Sequence, residues 1–572
     1  MIEIKLHSGY FVLKLQDKED TWILEQLQRK FSYNDVEYKY RYVQKVLTGE
    51  EPDLDSKEAL LDLAFHSEAK YRNYICWKYN KLLNQEGGYE RQEHFNFVDG
   101  RPFPPNAMWN GYRSALRFSR RTLETKPLWN GFLRDVLKQF EEWEIDLAES
   151  VHIDDLRAFK PAEYINPEPV YSHGDITLRD YQKPVIDKIR KDLQDYEGYG
   201  DLFGNILLDL AMAFGKSFTL PMITLNFPKL NVISLHNSSV LLSKQAADWR
   251  DMGLDFNLYL SKYKNVEDHL RAKGHDYKPK RGLNGKRVIS MVQTLATRIK
   301  SGKVSEEDVS HFGIIVLDEI DLLATPDLET VMKIFQAGLV LTASGTPFLS
   351  WQGESRFRVL AMGGRERIKV TYEEMRDKGN SLPIRYIVNR YKISTAYALS
   401  AKLKDLKYNY MMQGNKGRFP DLIKIIENHP DESICVYAGG MELEEIEQLG
   451  EAIRKAGYKI SVTHGSDPER STKLLDYEQG RTKRLLSNRI IGVGWSVSHM
   501  KILVLYDPTG QRAKISQVAG RVIRLFEGME EGLIYDWVDD DSGGLGHFYE
   551  NSIIRQGVIQ KELGTSPEQF NL

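Results

Sequence analysis

Three consecutive residues near the middle of the chain have the types and order needed to hold a polyphosphate. Gly215, Lys216 and Ser217 stand between an apolar run, typical of a strand, and a helical pattern. Backbone N–H groups at a helix start bind phosphate oxygens, a lysine reaches the outer phosphates, and a hydroxyl binds Mg²⁺. The motif is incomplete, because Leu210 stands five positions before Gly215, where the consensus loop has its first glycine. Other residues must therefore support a nucleotide site.

An acidic cluster later in the chain could supply the metal chemistry. An apolar run ends in Asp318, Glu319 and Asp321. A carboxylate at the carboxyl end of a parallel strand can hold Mg²⁺ beside a phosphate loop, and its neighbour can orient the attacking water. We assign Asp318 to Mg²⁺ and Glu319 to the water. The alternative is a solvated acidic strand end, which an isolated acidic pair would favour.

A pair of arginines further along could complete phosphoryl transfer. Gln517 opens the segment QVAGRVIR, in which Arg521 and Arg524 are three positions apart and share one face of a helix. A guanidinium that meets charge developing on the γ-phosphate accelerates its transfer, and it often comes from a neighbouring module. The alternative is a surface helix whose arginines form salt bridges. Together with the two earlier motifs, the segment indicates an ATP-hydrolysing site divided between two modules.

Residues so far apart can meet only on a scaffold, and the apolar runs predict one made of parallel sheets. Short apolar runs alternate with helical segments, as in sheets covered by helices on both faces. The first set is NILLDLA, NVISLHN, RVISMVQT, GIIVLDE and LVLTASG, and the second is SICVYAGG, YKISVTHG, KRLLSN, KILVLYDP and GLIYDW. We predict α/β domains at 176–375 and 376–572, a proline-containing linker at 161–175, and a separate amino-terminal domain at 1–160.

The amino-terminal part and one later loop carry basic patches. Residues 1–50 predict a strand or hairpin and a short helix, and residues 56–150 have a helical pattern rich in aromatic residues. A basic helical face that could grip a nucleic-acid backbone is predicted from Arg113, Arg117, Arg120 and Arg121. Lys280 and Arg281 lie in a second basic segment, DYKPKRGLNGKR, which could also contact nucleic acid. In both places the alternative is a solvated charged surface.

Composition excludes several classes of protein. The 572 residues are 41% hydrophobic and 28% charged, with a formal net charge of −3, so any attraction to a polyanion must be local. No apolar stretch approaches the length of a membrane span, and the first residues lack a signal-peptide pattern, so we expect a cytoplasmic protein without a membrane partner. The two cysteines, Cys76 and Cys435, can form neither a disulfide framework nor a zinc site.

The combined motifs resemble those of the superfamily 2 helicases and translocases. The stretch LRDYQ looks like the segment that reads adenine in that family, which implies this role for Gln182. The family's phosphate loop aligns on Ala211–Ser217, which implies nucleotide contacts by Ala213 and Phe214. QVAGRVIR is a full match to the family pattern Q-x-x-G-R-x-x-R.

Further segments resemble the family's coupling and nucleic-acid motifs. The acidic cluster matches DExD/H, and LTASGTP at 341–347 looks like the motif that couples hydrolysis to movement. The resemblance implies coupling roles for Asp321, Thr342 and Ser344. It implies nucleic-acid contacts by Asn237, Gln293, Thr294 and Asn488, and a nucleotide contact by Gly494. Small polar groups bind the phosphate backbone and carry no base information, so we expect backbone tracking.

Two departures from the family pattern narrow the resemblance. Ala213 stands where the family usually has a glycine, and Ser496 stands where it usually has an acidic residue. In both features the sequence resembles the UvsW-type recombination helicases of large phages. The resemblance implies two tandem RecA-like α/β domains with parallel sheets, preceded by an α+β accessory domain that binds DNA. ATP and Mg²⁺ would drive a DNA helicase on branched, forked or single-stranded DNA in replication, recombination or repair, in the bacterial or host cytoplasm. Three alternatives stay open: the motor subunit of a restriction or defence complex, a nucleotide-gated nucleic-acid-binding module with little turnover, and an RNA helicase.

Overall fold

The computed structural model describes residues 1–34, 96–194, 204–347, 353–392, 418–488, 499–540 and 547–569, apart from gaps at 8–9, 99–100, 104–111, 115, 120, 365, 508–511 and 527. The chain divides into two compact units. Unit 1 comprises Met1–Ala158 and Ser350–Arg365, and unit 2 comprises Phe159–Leu349 and Glu366–Leu572. Residues 350–365 thus lie in unit 1, although they fall inside the 176–375 domain predicted from the sequence.

Unit 1 is built on a mixed sheet around an amino-terminal hairpin. Its strands are β1 (Ile2–Leu6), β2 (Tyr10–Leu15), β3 (Ser32–Asn34), β4 (Asn96–Val98), β5 (Arg101–Phe103), β6 (Tyr112–Ser114), β7 (Phe118–Ser119), β8 (Glu124–Thr125), β9 (Leu128–Trp129) and β10 (Val151–Asp155). Its helices are α1 (Thr21–Lys30), α2 (Leu133–Glu142), α3 (Leu147–Ser150), a 3-10 turn at Asn130–Phe132, and the helix Gly353–Gly363. β1 pairs antiparallel with β2 and parallel with β10. The predicted amino-terminal strands and short helix are confirmed.

The basic helix predicted at 113–121 is wrong, because the chain forms strands there. Arg113 lies in β6, whereas β7 follows Arg117. A spacing of four residues fits two strand periods as well as one helical turn, so the pattern could not separate the two. Both β6 and β7 are extended chain, and buried Leu116 and exposed Arg117 lie between them. Arg121 is also exposed, and Arg120 lies outside the described residues.

The first sheet of unit 2 is entirely parallel. Its eight strands are β13 (Asn205–Leu210), β14 (Asn231–His236), β15 (Asn257–Tyr259), β16 (Lys280–Arg281), β17 (Arg287–Met291), β18 (Phe312–Asp318), β19 (Leu339–Ser344) and β20 (Glu366–Val370). They lie in the order β16-β15-β17-β14-β18-β19-β13-β20, and a short hairpin of β11 (Ser172–His173) and β12 (Ile176–Thr177) precedes them. Its helices are α4 (Lys183–Gln194), α5 (Lys216–Leu225), α6 (Ser239–Asp251), α7 (Lys264–Ala272), α8 (Val292–Lys300), α9 (Glu306–Val309), α10 (Ile320–Leu323) and α11 (Pro326–Met332).

The second sheet of unit 2 repeats the parallel arrangement. Its seven strands are β21 (Ile384–Lys392), β22 (Ile434–Tyr437), β23 (Ser461–Thr463), β24 (Arg484–Ser487), β25 (Ile502–Leu505), β26 (Gly532–Asp540) and β27 (Pro567–Gln569), in the order β23-β24-β22-β25-β26-β21-β27. Its helices are α12 (Tyr372–Asp377), α13 (Arg418–Asn428), α14 (Leu443–Lys455), α15 (Arg470–Glu478), α16 (Arg512–Ala519) and α17 (His547–Leu563). All ten apolar runs predicted as strands form strands of these two sheets.

The cores of the two sheets join where their helices meet. Strands such as β14 and β18 are buried along almost their whole length, as strands covered on both faces must be. One cluster of buried apolar residues includes Phe214 beside the first sheet and Val518 beside the second. The segment predicted as a linker packs on this cluster through Tyr164, Val170 and Tyr171, after a 3-10 turn at Pro161–Tyr164. The two parallel sheets and the mixed amino-terminal unit confirm the predicted fold class.

Candidate nucleotide site

A cavity of about 440 Å³ is lined by residues that follow strands of both parallel sheets. This volume lies in the range of small-ligand sites, about 300–1,000 Å³. From the first sheet come the phosphate-loop residues, which follow β13, and the acidic residues at the end of β18. From the second come Gln517, Arg521 and Arg524. The three separated motifs therefore meet at one site.

The phosphate loop has a tight turn built partly from a non-glycine residue. Ala213 has a φ of 67° and Gly215 a φ of 91°. A left-handed conformation costs an L-residue about 1–2 kcal/mol, so Ala213 holds a strained geometry that glycine would adopt freely. At Gly215 a Cβ would lie 2.5 Å from Nε2 of Gln182, so this position needs glycine for space as well as for backbone.

Gln182 is buried behind the phosphate loop. Its Nε2 donates to the carbonyl of Phe214 at 2.8 Å and lies 3.1 Å from Oγ1 of Thr219, while its Oε1 accepts from the backbone N–H of Arg179 at 2.9 Å. Arg179 itself lines the cavity. The predicted base-reading residue is thus hydrogen-bonded to the loop that would hold the phosphates.

Lys216 and the acidic strand end meet in the cavity. Nζ of Lys216 lies 3.8 Å from Oε1 of Glu319, which takes a left-handed conformation with a φ of 55° just before α10. Burial, and then the charge of Glu319, raise the pKa of Asp318 to about 6, while Lys216 lowers it. Crowded carboxylates with raised pKa values are stabilised in their charged form by a bound cation.

Asp321 links the acidic cluster to the next strand. Burial, and then Glu319, raise its pKa to about 7. Oγ of Ser344 donates to Oδ1 of Asp321 at 2.7 Å and accepts from the backbone N–H of Thr346 at 2.9 Å. Thr342 is placed differently, because its hydroxyl donates to the carbonyl of Ile206 inside the sheet, at 3.0 Å. Of the two hydroxyls assigned to coupling, Ser344 contacts the acidic cluster.

Arg521 and Arg524 line the cavity, and burial is the main influence on the charge of both. Burial, and then the charge of Arg524, lower the pKa of Arg521 to about 9. Burial lowers the pKa of Arg524 to about 10, against the opposing effect of Asp248 and Glu478. Nε of Arg521 and Nε2 of Gln517 are buried without a hydrogen-bond partner among the described residues. Buried donors of this kind are satisfied by an anionic ligand.

Met212 joins the phosphate loop to the arginine segment. A Cβ at Gly520 would lie 2.7 Å from both Cβ and Cε of Met212, and a Cβ at Gly345 would lie 3.2 Å from its Cγ. Oγ of Ser516 also contacts Sδ of Met212 at 3.9 Å. The thioether is therefore seated between a glycine of the first sheet's coupling motif and a glycine of the second sheet's arginine motif. We call this contact the Met212 seat.

Four polar residues that line the cavity were not predicted as site residues: Arg179, Lys244, Asp248 and Asn380. Nζ of Lys244 lies 3.2 Å from Oγ of Ser217 and 4.0 Å from Oδ2 of Asp248. Leu241, Lys244 and Asp248 are three and four positions apart, so they share one face of α6. The sequence could therefore have placed these three residues on one helix face, but the spacing does not indicate what that face binds.

Two of the predicted nucleic-acid residues contact each other at the carboxyl ends of two interior strands of the first sheet, β14 and β17. Nε2 of Gln293 donates to the carbonyl of Asn237 at 3.3 Å, and Nδ2 of Asn237 donates to the carbonyl of Leu322 at 3.1 Å. Leu322 belongs to α10, directly after the acidic cluster. Thr294 follows in α8 and is half-buried. Two hydrogen bonds thus connect exposed Gln293, through Asn237, to the helix that follows the acidic cluster.

The other predicted contacts lie away from these two strand ends or outside the described residues. Lys280 and Arg281 form the short edge strand β16, and Arg281 pairs with Glu267 at 3.1 Å. Asn488 follows β24, and its Oδ1 is buried without a partner in the part of the chain that is described. Gly494 and Ser496 fall outside the described residues.

The donor set suits a magnesium ion that arrives with a nucleotide. Ser217 and Asp318 both line the cavity. Mg²⁺ in nucleotide sites takes one or two protein ligands and completes its shell with phosphate oxygens and water. Within the described ranges, no group of three or more His, Cys, Asp or Glu side chains could hold a metal alone. When bound, Mg²⁺ would supply charge neutralisation on the phosphates.

Comparison with known families accounts for this arrangement. Residues 175–349 match the family model "Type III restriction enzyme, res subunit", and residues 417–526 match "Helicase conserved C-terminal domain". The chain belongs to the superfamily 2 helicases. Members of this superfamily are nucleic-acid-dependent ATPases that use ATP, generally with Mg²⁺. The first segment contains seven of the eight strands of the first sheet, the second contains four of the seven strands of the second sheet, and together they contain all the motifs around the cavity.

Individual relatives are distant. The chain is 19% identical to "Putative helicase 22" of Sulfolobus islandicus filamentous virus over 271 residues, 45% of this chain and 47% of the relative. It is 23% identical to "ATP-dependent RNA helicase FAL1" of Coccidioides immitis over 261 residues, 45% of this chain and 56% of the relative. The chain spans about half the length of these curated relatives. The crystal structure of T4 UvsW is 14% identical, covers 100% of this chain and 99% of its own, and gives a TM-score of 0.38.

One structural finding bears on membranes. Among the helices of the described residues, none is both long enough and apolar enough to cross a bilayer.

Proposed function

We propose that this chain is an ATP-dependent DNA helicase or translocase that acts on branched or forked DNA in replication, recombination or repair. The observation that carries the proposal is the cavity, where Lys216, Asp318 and Arg521 converge from segments far apart in the chain. Phosphoryl transfer depends mainly on positioning and on charges placed around the γ-phosphate. A cavity with five cationic side chains and three carboxylates suits an anionic substrate that carries a metal.

In this proposal each motif has one task. Lys216 leaves Glu319 to meet the outer phosphates, and Ser217 with Asp318 holds Mg²⁺. Glu319, released from Lys216, orients the attacking water, while Arg521 and Arg524 meet the charge that develops on the γ-phosphate. Because the arginines come from the second sheet and the acids from the first, hydrolysis removes a group that both sheets bind. The loss of that group would allow the sheets to move and a bound strand to advance.

The choice of DNA rests on the sequence resemblance to UvsW-type helicases and on the restriction-subunit family model, whereas the name of the FAL1 relative supports RNA as the alternative substrate. Asn237, Gln293 and Asn488 are small polar groups that suit either backbone. The accessory amino-terminal unit, with exposed Arg117 and Arg121, is assigned to nucleic-acid binding as part of the same proposal.

ATPase stimulation by single-stranded, duplex, forked and four-way DNA, beside matched RNA, tests the proposal. We expect the largest rate with forked or four-way DNA and loss of at least about a hundredfold for Lys216→Ala, because a terminal-phosphate contact stabilises the transition state. Lys229→Ala, at an exposed lysine outside the cavity, is the matched control. Full stimulated activity of Lys216→Ala would disprove the site. A larger ATPase rate with RNA than with DNA would show that RNA is the substrate. Stimulation by duplex DNA alone would favour a restriction-type motor. Binding of ATP without hydrolysis would favour a nucleotide-gated binding module.

A further inference from the structure

Helix α6 presents a charged face to the nucleotide cavity. Leu241, Lys244 and Asp248 from this face line the cavity beside Ser217. The sequence resemblance implies a nucleic-acid contact by Asn237, which lies just before this helix, and assigns no role to Lys244. The carbonyl of Asn237 accepts a hydrogen bond from Gln293, whereas Lys244 lines the cavity.

Lys244 lies between the predicted metal-binding hydroxyl and the arginine pair. Its Nζ is 3.2 Å from Oγ of Ser217, and its side chain is 28% exposed. The charges of Arg521 and Arg524 act directly on Lys244, as does that of Asp318. Asp248, the nearest acid, is 4.0 Å away, which is long for a hydrogen-bonded pair. Lys244 therefore lies among charges of both signs, and it lines the cavity.

This surrounding is unfavourable for a lysine unless an anion occupies the cavity. Burial disfavours the charged form of Lys244, and the two arginines add to this effect, whereas Asp248 and Asp318 oppose it. Oγ of Ser217 accepts a hydrogen bond from Lys244, whereas Mg²⁺ would need the same oxygen. When a metal takes the hydroxyl, the ammonium group must find another acceptor within reach.

We propose that Lys244 is a second phosphate-binding lysine, which contacts the terminal phosphate of ATP. This proposal rests on the ATPase function above and adds a residue that the family motifs do not contain. The arginine pair marks the side of the cavity where the terminal phosphate would lie, and Lys244 lines the same cavity within 3.2 Å of Oγ of Ser217. Lys244 would thus help to distinguish ATP from ADP.

Binding of fluorescent ADP and of a fluorescent non-hydrolysable ATP analogue, with Mg²⁺, tests the assignment in the full-length chain. Removing a charge-assisted hydrogen bond weakens binding by about tenfold or more. Lys244→Met should show this loss for the ATP analogue and less than about a twofold change for ADP, because ADP lacks the phosphate concerned. Lys244→Arg should keep most of the affinity, and Lys229→Met should match the wild type. Lys244→Gln serves if Lys244→Met does not fold.

A purely structural role makes a different prediction. If Lys244 served only to balance Asp248, then Asp248→Asn would restore analogue binding to Lys244→Met, whereas a phosphate contact cannot be restored in this way. Equal losses for ADP and the ATP analogue, no loss at all, or rescue by Asp248→Asn would each overturn the proposal. Failure of the wild type to bind the analogue would overturn the proposed function as well, which distinguishes the two.

Discussion

The Met212 seat predicts that Gly520→Ala will impair contact between the two sheets. The new methyl would lie 2.7 Å from two carbons of Met212, about 1 Å inside the usual carbon–carbon contact of 3.5–4.0 Å. One of these carbons is Cβ, which can move only with the loop backbone, and Gly345 closes the opposite side. Overpacking of this kind costs about 1–3 kcal/mol. We expect the steady-state ATPase rate to fall by about 5- to 150-fold if this whole free energy opposes the approach of the two sheets during catalysis.

The assay is a double-mutant cycle with Met212→Ala, which removes the obstructing side chain. Gly520→Ala combined with Met212→Ala should be more active than Gly520→Ala alone, with a coupling of about 1–3 kcal/mol. Gly557→Ala is the control, since a Cβ at this position of α17 has no neighbour within 4 Å and alanine favours a helix. Wild-type activity of Gly520→Ala, or no recovery in the double variant, would refute the steric reasoning.

Two further predictions follow from the contacts of single side chains. Ser344→Ala removes the 2.7 Å hydrogen bond to Asp321, so we expect DNA-stimulated ATPase to survive within about tenfold while strand displacement per ATP falls; equal losses in both would contradict a coupling role. Burial lowers the pKa of His236 to about 3, so the folded chain keeps it neutral, whereas the unfolded chain binds a proton below about pH 6.5. Stability is therefore lost as pH falls below the unfolded value, and between about pH 7.5 and 5 the wild type should lose about 2 kcal/mol more unfolding free energy than His236→Gln, measured by denaturant titration. Equal losses in the two proteins would show that His236 becomes protonated in the folded state.

The strands and the meeting of the three motifs could be predicted because they depend on local pattern. The run around Val316 is apolar at nearly every position, as in a strand covered on both faces. The Q-x-x-G-R-x-x-R segment fixes the spacing of Arg521 and Arg524, and the order of motifs implied a divided site. These signals survive without knowledge of which segments become neighbours.

Other features depend on contacts between distant segments. The arginine spacing at 113–121 fits both helix and strand, and the strand at Arg113 forms by pairing with β3, far earlier in the chain. Lys244 could be placed on a helix face, but nothing in α6 shows that this face points at Ser217. The sequence likewise marks Gly520 as part of a motif, while the reason for its missing side chain lies in Met212, far away in the chain.

The position of Gln182 has a consequence for fidelity. Its amide group supports the back of the phosphate loop through Phe214 and Thr219, and Gly215 has no side chain that would push it away. A nucleotide whose base displaces this amide would break the hydrogen bonds that hold the phosphate loop in place. A nucleotide with the wrong base would then be held out of register for hydrolysis even when it binds well. Selection among nucleotides would appear in kcat as well as in KM, so the enzyme would reject GTP by failing to turn it over.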